Sequence, residues 1–256
     1  MKIAVIGGIG AMGQFTVRDL VESPDVKKIL CADYKGDEAK LFAASFKDKR
    51  IKGDFVDAYN IDETAKLIKG YDIVINAAQY WTNVSVMKAC LKIGIPYVDM
   101  GGLFHGGNEQ IKECANPFKK AGLTAIIGVG AACGVTNICA RYGYLNLDTV
   151  QAVHFKVAVV DLTDTKGIEA YYAPFALRTY MEEQVMEPIQ FINGKYETLP
   201  LFSGEEEVDF PEPIGRRKVE NCIHAELSTV PSSFMDKGIK DVTFKVGYYP
   251  WKNVER

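Results

Sequence analysis

Residues 1–20 read MKIAVIGGIGAMGQFTVRDL, and this stretch decides the fold because it joins an apolar strand, a glycine turn and a helix start. Ile3, Ala4, Val5 and Ile6 form the short uninterrupted apolar run of a strand covered on both faces, as central parallel strands are. Gly8, Gly10 and Gly13 follow in the spacing G-x-G-x-x-G. In a dinucleotide-binding fold the first glycine makes the tight turn, the second lets backbone approach a pyrophosphate, and the third lets helix pack on strand. The phosphates then lie on a helix N-terminus, where unpaired N–H groups and the positive dipole end favour an anion.

The spacing alone also fits a glycine-rich turn in an unrelated α/β protein, so its context carries the reading. The helical stretch Gln14 to Val21 follows it, and an acid answers it. Asp33 closes the second apolar run, KKILCAD, 20 positions beyond Gly13, where a carboxylate accepts hydrogen bonds from an adenosine ribose. A carboxylate there repels a ribose 2′-phosphate, which favours NAD; Lys35 works against that preference and keeps NADP open.

The chain has 256 residues, 48% of them apolar, enough for one large domain or two smaller ones. Two are expected: a dinucleotide-binding domain over 1–130 and a mixed α+β domain over 131–256 that supplies the substrate pocket. The formal net charge of −3 and the lack of a long basic run argue against nucleic acid as partner. No run of about 18 apolar residues and no cleavable leader pattern occurs, so a cytoplasmic protein without a membrane span is expected. Six scattered cysteines without a C-x-x-C pair read as reduced, mostly buried thiols, with no metal site.

Beyond Asp33, a helix over Glu38 to Phe46 leads to a third strand closed by Asp57, which either lies beside the adenine or serves as a turn or cap. A short helix over 62–69 follows. The strand Tyr71 to Ala77 then runs into Ala78, Gln79, Tyr80 and Trp81 at the carboxyl edge of the sheet, where open α/β sheets bind ligands. Ala77 and Ala78 leave room for a cofactor, and Asn76 either bonds a ribose or holds the turn. Tyr80 and Trp81 are either site residues or packing aromatics.

The strand IPYVDM delivers Asp99 to the same edge, followed by Gly101-Gly102 and His105 in a loop. Asp99 suits a substrate ammonium, and His105 suits proton transfer near neutrality; the alternative is a turn former and a surface residue. A helix over Asn108 to Ala121 and the strand LTAIIGVG complete six strands of a Rossmann-type, doubly wound parallel sheet. The glycine cluster GVGAACGVTN at 128–137 marks the exit from it.

In the second half, TVQAVHFKVAVVDL reads as a half-exposed antiparallel strand, PIQFINGKYETLPLF as a hairpin with Asn193-Gly194 at its turn, and DVTFKVGYYP as a further strand. Pro174 to Val185 reads as a helix, with Arg178 as an exposed arginine or a fork for a substrate carboxylate. Met181 and Met186 are expected in the core. The charged stretch 204–218, GEEEVDFPEPIGRRK, is expected as a solvated loop.

Together GGIGAMG with Asp33, DIVINAA at 72–78, VMKACLKIGIPYVDMGGLFH at 86–105, GVGAACGVTN, EEQVMEPIQFINGKYETLPLF at 182–202 and HAELSTVP at 224–231 resemble the saccharopine dehydrogenase-like family. That family includes saccharopine reductases, lysine 6-dehydrogenases and carboxynorspermidine synthases. The resemblance implies an NAD(P)-dependent oxidoreductase acting at a carbon–nitrogen bond of an amino acid or polyamine precursor, working as a homodimer. By the same resemblance Gly8, Ile9, Gly10, Ala11, Met12, Gly13, Asp33, Asp57, Asn76, Ala77 and Ala78 would touch the cofactor, and Tyr80, Asp99 and His105 would line the reaction centre. Two departures stand out. Cys133 occupies a position where the family usually has proline, and the chain ends at Arg256 where family chains continue. The latter reads as a truncated form, or as a short variant whose exposed surface another subunit covers. A nucleotide-sensing protein without turnover is the competing reading.

Overall fold

The apolar run at residues 3–6 requires cover on both sides, and its alternate side chains enter two separate cores. Ala4 and Ile6 join one, Ile3 and Val5 the other. The computed structural model describes residues 1–160, 162 and 176–247. The chain divides into two compact units, Met1–Cys133 and Gly134–Arg256.

The first unit runs β1 (Lys2–Ile6), α1 (Ala11–Glu22), β2 (Lys28–Asp33), α2 (Gly36–Ser45), β3 (Ile51–Phe55), α3 (Ile61–Ile68), β4 (Ile73–Asn76), α4 (Asn83–Ile93), β5 (Tyr97–Asp99), α5 (Phe104–Lys120) and β6 (Ala125–Ile126). Its six strands are all parallel, in the order β3-β2-β1-β4-β5-β6. This is the doubly wound order whose reversal, here between β1 and β4, opens a crevice at the carboxyl ends of the strands. Val17 of α1 and Ala39 and Ala43 of α2 cover one face; Ala65 and Ile68 of α3, Val86 and Met87 of α4, and Cys114 and Phe118 of α5 cover the other.

The second unit runs α6 (Val135–Asn146), β7 (Ala152–Ala158), α7 (Leu177–Val185), β8 (Ile189–Ile192), β9 (Lys195–Thr198), β10 (Glu206–Asp209), β11 (Arg216–Asn221), α8 (Glu226–Ser233) and β12 (Asp241–Gly247). Its sheet is mixed and mostly antiparallel. The path is β10-β11-β12-β8-β9, with β7 laid along β12 from Asp241↔Ala152 to Gly247↔Ala158. At the β8–β9 turn Asn193 and Gly194 both take positive φ, 50° and 80°, the pair of left-handed residues that a two-residue hairpin turn demands.

Four expectations need correction. β7 pairs in parallel with β12, because alternation reports one covered face and says nothing of strand direction. The stretch 204–218 contains β10 and the start of β11, held by ion pairs Glu207–Arg216 and Glu205–Lys218 between hairpin arms that look solvated in sequence. Met181 is exposed. His105 lies in the first turn of α5, which starts four residues before Asn108. Gly106, inside the helix, lies under the Tyr80 ring, where a Cβ would come within 2.7 Å of Cδ2. Among the described residues no helix is long and apolar enough to cross a membrane. Among the described residues Cys139 is exposed and the other five cysteines are buried.

Candidate functional site

Between β1 and α1 the backbone turns through Gly7, Gly8, Ile9 and Gly10, with Ile9 packed toward the core and the first two glycines too close to neighbouring atoms for a Cβ. The left-handed residue is Gly7, at φ 76°, rather than Gly8, and a Cβ on it would lie 2.5 Å from the Ala78 nitrogen. Gly8 faces Cys31, whose sulfur would lie 2.6 Å from a Cβ, and burial pushes that thiol up to about 12. Gly13 sits on the Gly7 carbonyl oxygen, 2.0 Å from where a Cβ would stand. The Gly7 and Gly8 N–H groups donate to the Ala32 carbonyl, and the Gly10 N–H donates to Gly7. Gly10 supplies no side-chain cap and the first turn of α1 holds no acid. The first N–H groups of a helix have no acceptor within it, and exposed Ala11 and Met12 leave this end open.

Asp33, at the end of β2, turns back onto that turn. Its Oδ2 accepts from the Ile9 N–H at 3.4 Å and its Oδ1 from the Lys35 N–H at 3.1 Å. Beside it the exposed rings of Tyr34 and Phe55 lie 5.6 Å apart and border an open depression with Lys35, Gly36, Asp37, Glu38 and Lys40. The Lys35 ammonium pairs with Glu38 at 3.1 Å. Asp57 takes the turn role: its carboxylate accepts from the Tyr59 N–H, while Asn60 caps α3.

At the ends of β4 and β5 the polar side chains are enclosed. Asn76 is 1% exposed, its Oδ1 accepting from the Ala78 N–H and its Nδ2 donating to Asn83 at 2.8 Å. Asp99 is fully buried and accepts from the Gly101 N–H, the Gly128 N–H, Gln110 Nε2 and the Tyr97 hydroxyl. Burial raises its carboxyl above the ordinary range and those donors pull it back. With every face of the carboxylate engaged, Asp99 does not present itself to a substrate ammonium as expected; it ties the loops after β5 and β6 together. Cys133 lodges its sulfur against Gly101 and Gly128, 2.4 and 2.8 Å from where their Cβ atoms would stand. Tyr80 is half-buried against Gly102 and Gly106, and His105 is exposed at the start of α5.

In the second unit the expected residue, Arg178, is exposed and donates from Nε to Glu182 one turn along α7 at 2.8 Å, an ordinary helix-surface pair in place of a free fork. Sequence reading passed over the buried groups there. His224 bonds Glu226 through Nδ1, Glu226 accepts from the Thr136 hydroxyl at 2.6 Å, and the imidazole stacks on Phe244 at 4.1 Å. Burial opposes the imidazolium, yet the Glu226 hydrogen bond and charge, with Glu183, raise His224 above its usual range. Burial pushes Glu183 up to about 7. In the first unit it missed Asn83 and Gln110. The available signal was Gln110 itself, a polar residue in the helical stripe with Cys114 and Phe118.

The first unit fits a nicotinamide dinucleotide. A glycine turn suits the pyrophosphate, an uncapped helix end its charge, and the Asp33 carboxylate a ribose diol. Comparison with known proteins agrees. Residues 3–126 match the family model described as saccharopine dehydrogenase NADP binding domain. The chain is 29% identical over 208 residues to a carboxynorspermidine synthase of Vibrio cholerae, covering 75% of this chain and 48% of that protein. It is 24% identical over 237 residues to a carboxyaminopropylagmatine dehydrogenase of Synechocystis, covering 90% and 58%. The chain therefore spans about half the length of the relatives it matches. In fold it resembles the apo saccharopine dehydrogenase (L-Glu forming) of Saccharomyces cerevisiae, with TM-score 0.71, 15% identity, and coverage of 96% of this chain and 54% of that one.

Proposed function

We propose, from the match of residues 3–126 to the family model of the saccharopine dehydrogenase NADP binding domain, that the protein is a nicotinamide-dependent oxidoreductase acting at a carbon–nitrogen bond of an amino acid or polyamine precursor. The observation that carries this reading is the Asp33 carboxylate bonded to the glycine turn at the β1/β4 switch point. A bound nicotinamide supplies or accepts the hydride. The chain's own part is to seat the pyrophosphate on the backbone of Gly8 to Gly13 and grip the ribose through Asp33. NAD is favoured over NADP because the same carboxylate meets a 2′-phosphate with like charge, and the ammonium of the neighbouring Lys35 is drawn to Glu38. The relatives bearing polyamine-type names support a substrate that carries both an amine and a carboxylate. A homodimer is part of the same reading.

The test is a panel of lysine, saccharopine and carboxyalkylated polyamines, run with NAD and NADP in parallel and followed at the reduced-nicotinamide absorbance band. Turnover with NAD on an amine of this class is the expected result. Tight cofactor binding with no turnover on any member favours the nucleotide-sensing reading, which the enclosure of Asp99 also supports.

A further inference from the structure

Asn76, Asn83, Gln110 and Asp99 are joined by hydrogen bonds that run in one direction, and Asn76 Nδ2 also reaches Thr82 Oγ1 at 3.3 Å and the Tyr97 hydroxyl at 3.4 Å, the latter a shorter branch of the same direction toward Asp99. Asn76 Nδ2 donates to Asn83 Oδ1 at 2.8 Å, Asn83 Nδ2 to Gln110 Oε1 at 3.2 Å, and Gln110 Nε2 to Asp99 Oδ2 at 2.5 Å. A primary amide carries a donor and an acceptor, so each of the three would fit either way round by itself. The ends remove that freedom. Asp99 receives the Gly101 N–H at 2.7 Å, the Gly128 N–H at 2.8 Å and the Tyr97 hydroxyl in addition to Gln110, an arrangement that suits only an acceptor. Gln110 must then point its nitrogen at Asp99, Asn83 its nitrogen at Gln110, and Asn76 its nitrogen at Asn83. The Asn76 oxygen is left facing the Ala78 N–H, 3.3 Å away.

All four residues are buried, with 3% exposure or less, so water does not repair a reversed link. The far end of the series meets the glycine turn, since Ala78 backbone lies against Gly7.

We propose that this relay is a positioning device in which Asp99, acting through Gln110, Asn83 and Asn76, sets the Ala77–Ala78 turn against which the nicotinamide half of the dinucleotide is placed. The proposal rests on the dinucleotide reading above. It gives Asp99 a role toward the cofactor without contact: a carboxylate on β5 orders a turn on β4.

Titration with NADH and with AMP separates this role from plain stability, since AMP engages only the Asp33 side of the crevice. Asp99→Asn presents amide hydrogens to Gln110 Nε2, and Gln110→Met deletes both links that Gln110 makes, at similar volume. Each is expected to weaken NADH about tenfold and AMP by less than about twofold. The double variant Asp99→Asn, Gln110→Glu moves the acceptor-only group one link along. It lets every remaining amide keep its direction, and it should restore NADH binding to within about threefold of the wild type. Equal losses of NADH and AMP, or a double variant no better than Asp99→Asn alone, overturn the relay. In the wild type, amide exchange at Ala78 should be as slow as at Gly101 and Gly128; rapid exchange at Ala78 alone also overturns it. A wild type that binds neither probe removes the cofactor reading and this proposal together, whereas binding without the NADH/AMP split removes only the proposal.

Discussion

The glycine turn of the first unit and the acid–base cluster of the second hold polar groups by different means. At residues 7–13 the work is done by backbone. N–H and carbonyl groups pair with each other, glycines bring chain segments into contact, and one carboxylate, Asp33, is tied down by two N–H groups. Around His224 the work is done by charge. An imidazole and the carboxyl groups of Glu226 and Glu183 lie in the interior with the Thr136 hydroxyl, and the titrations of His224 and Glu183 are shifted by burial and by their charged neighbours. The first arrangement yields a backbone surface beside an uncapped helix end, open to an anion. The second yields a rigid interior whose stability follows pH.

The difference is sharpest if either is broken. Glu226→Ala removes the partner of a buried imidazole and the acceptor of Thr136, and breaking a buried pair costs about 3–5 kcal/mol. Urea unfolding should show that loss, with amide exchange rising in the second unit alone; a loss below about 1 kcal/mol means the cluster is not held by charge. Gly13→Ala drives a Cβ into the Gly7 carbonyl, an overpacking worth about 1–3 kcal/mol. Because the atom struck is backbone, the turn itself must move, and NADH affinity should fall about 100-fold. Retention of NADH affinity would detach the turn from the cofactor.

The pH dependence of the second unit tests the same contrast at smaller amplitude. His224, raised above 6.5, contributes stability that is complete below that value and lost as pH climbs through its folded-state titration. Glu183, raised from 4.5 to about 7, holds its proton in the folded state, so its share is lost between those values as pH rises. Both act in one direction, so the second unit should be less stable at pH 8 than at pH 5.5 by on the order of 1–2 kcal/mol. Glu183→Gln should flatten that slope. A second unit more stable at pH 8 than at 5.5 contradicts the assignment.

What sequence could show divides along the same line. The first strand, the glycine spacing and Asp33 were legible because their cause is local: a turn position that admits no side chain must be written in glycine. Even there Gly7 and Gly8 are alike in sequence, and the left-handed turn at Gly7 against Ala78 shows in the structure alone. Asp99 was visible as an acid at a strand end. Its enclosure was not, because its partners Gln110 and Gly128 arrive 11 and 29 residues later from other elements. The 204–218 hairpin was hidden because its arms pair through charges, which look the same on a loop. His224 and Glu226 lay in plain view within a quoted stretch, yet nothing local says that a histidine two residues before a glutamate is buried.

Asp33→Ala brings the comparison to a single charge on the backbone-built site. It should leave binding of the pyrophosphate to the turn largely intact and shift the NAD to NADP preference about tenfold toward NADP, close to one unit of like-charge repulsion removed. An unchanged ratio from paired titrations places the ribose contact elsewhere, with Lys35 or the Tyr34–Phe55 surface the next residues to vary.

The smallest effect is expected at Arg178, where both readings of the second unit's surface meet. Its guanidinium is exposed and donates to Glu182 at i+4 spacing, and such pairs stabilise a helix by about 0.3–0.5 kcal/mol. Arg178→Ala should therefore change unfolding by no more than about 0.5 kcal/mol and leave KM for any amine-carboxylate substrate unaltered. A bidentate fork on a substrate carboxylate would behave otherwise, raising KM sharply with kcat nearly constant, because uniform binding energy is lost. The two outcomes differ in kind, so one kinetic series on this variant settles whether a charged surface helix contributes to recognition or only to its own solubility.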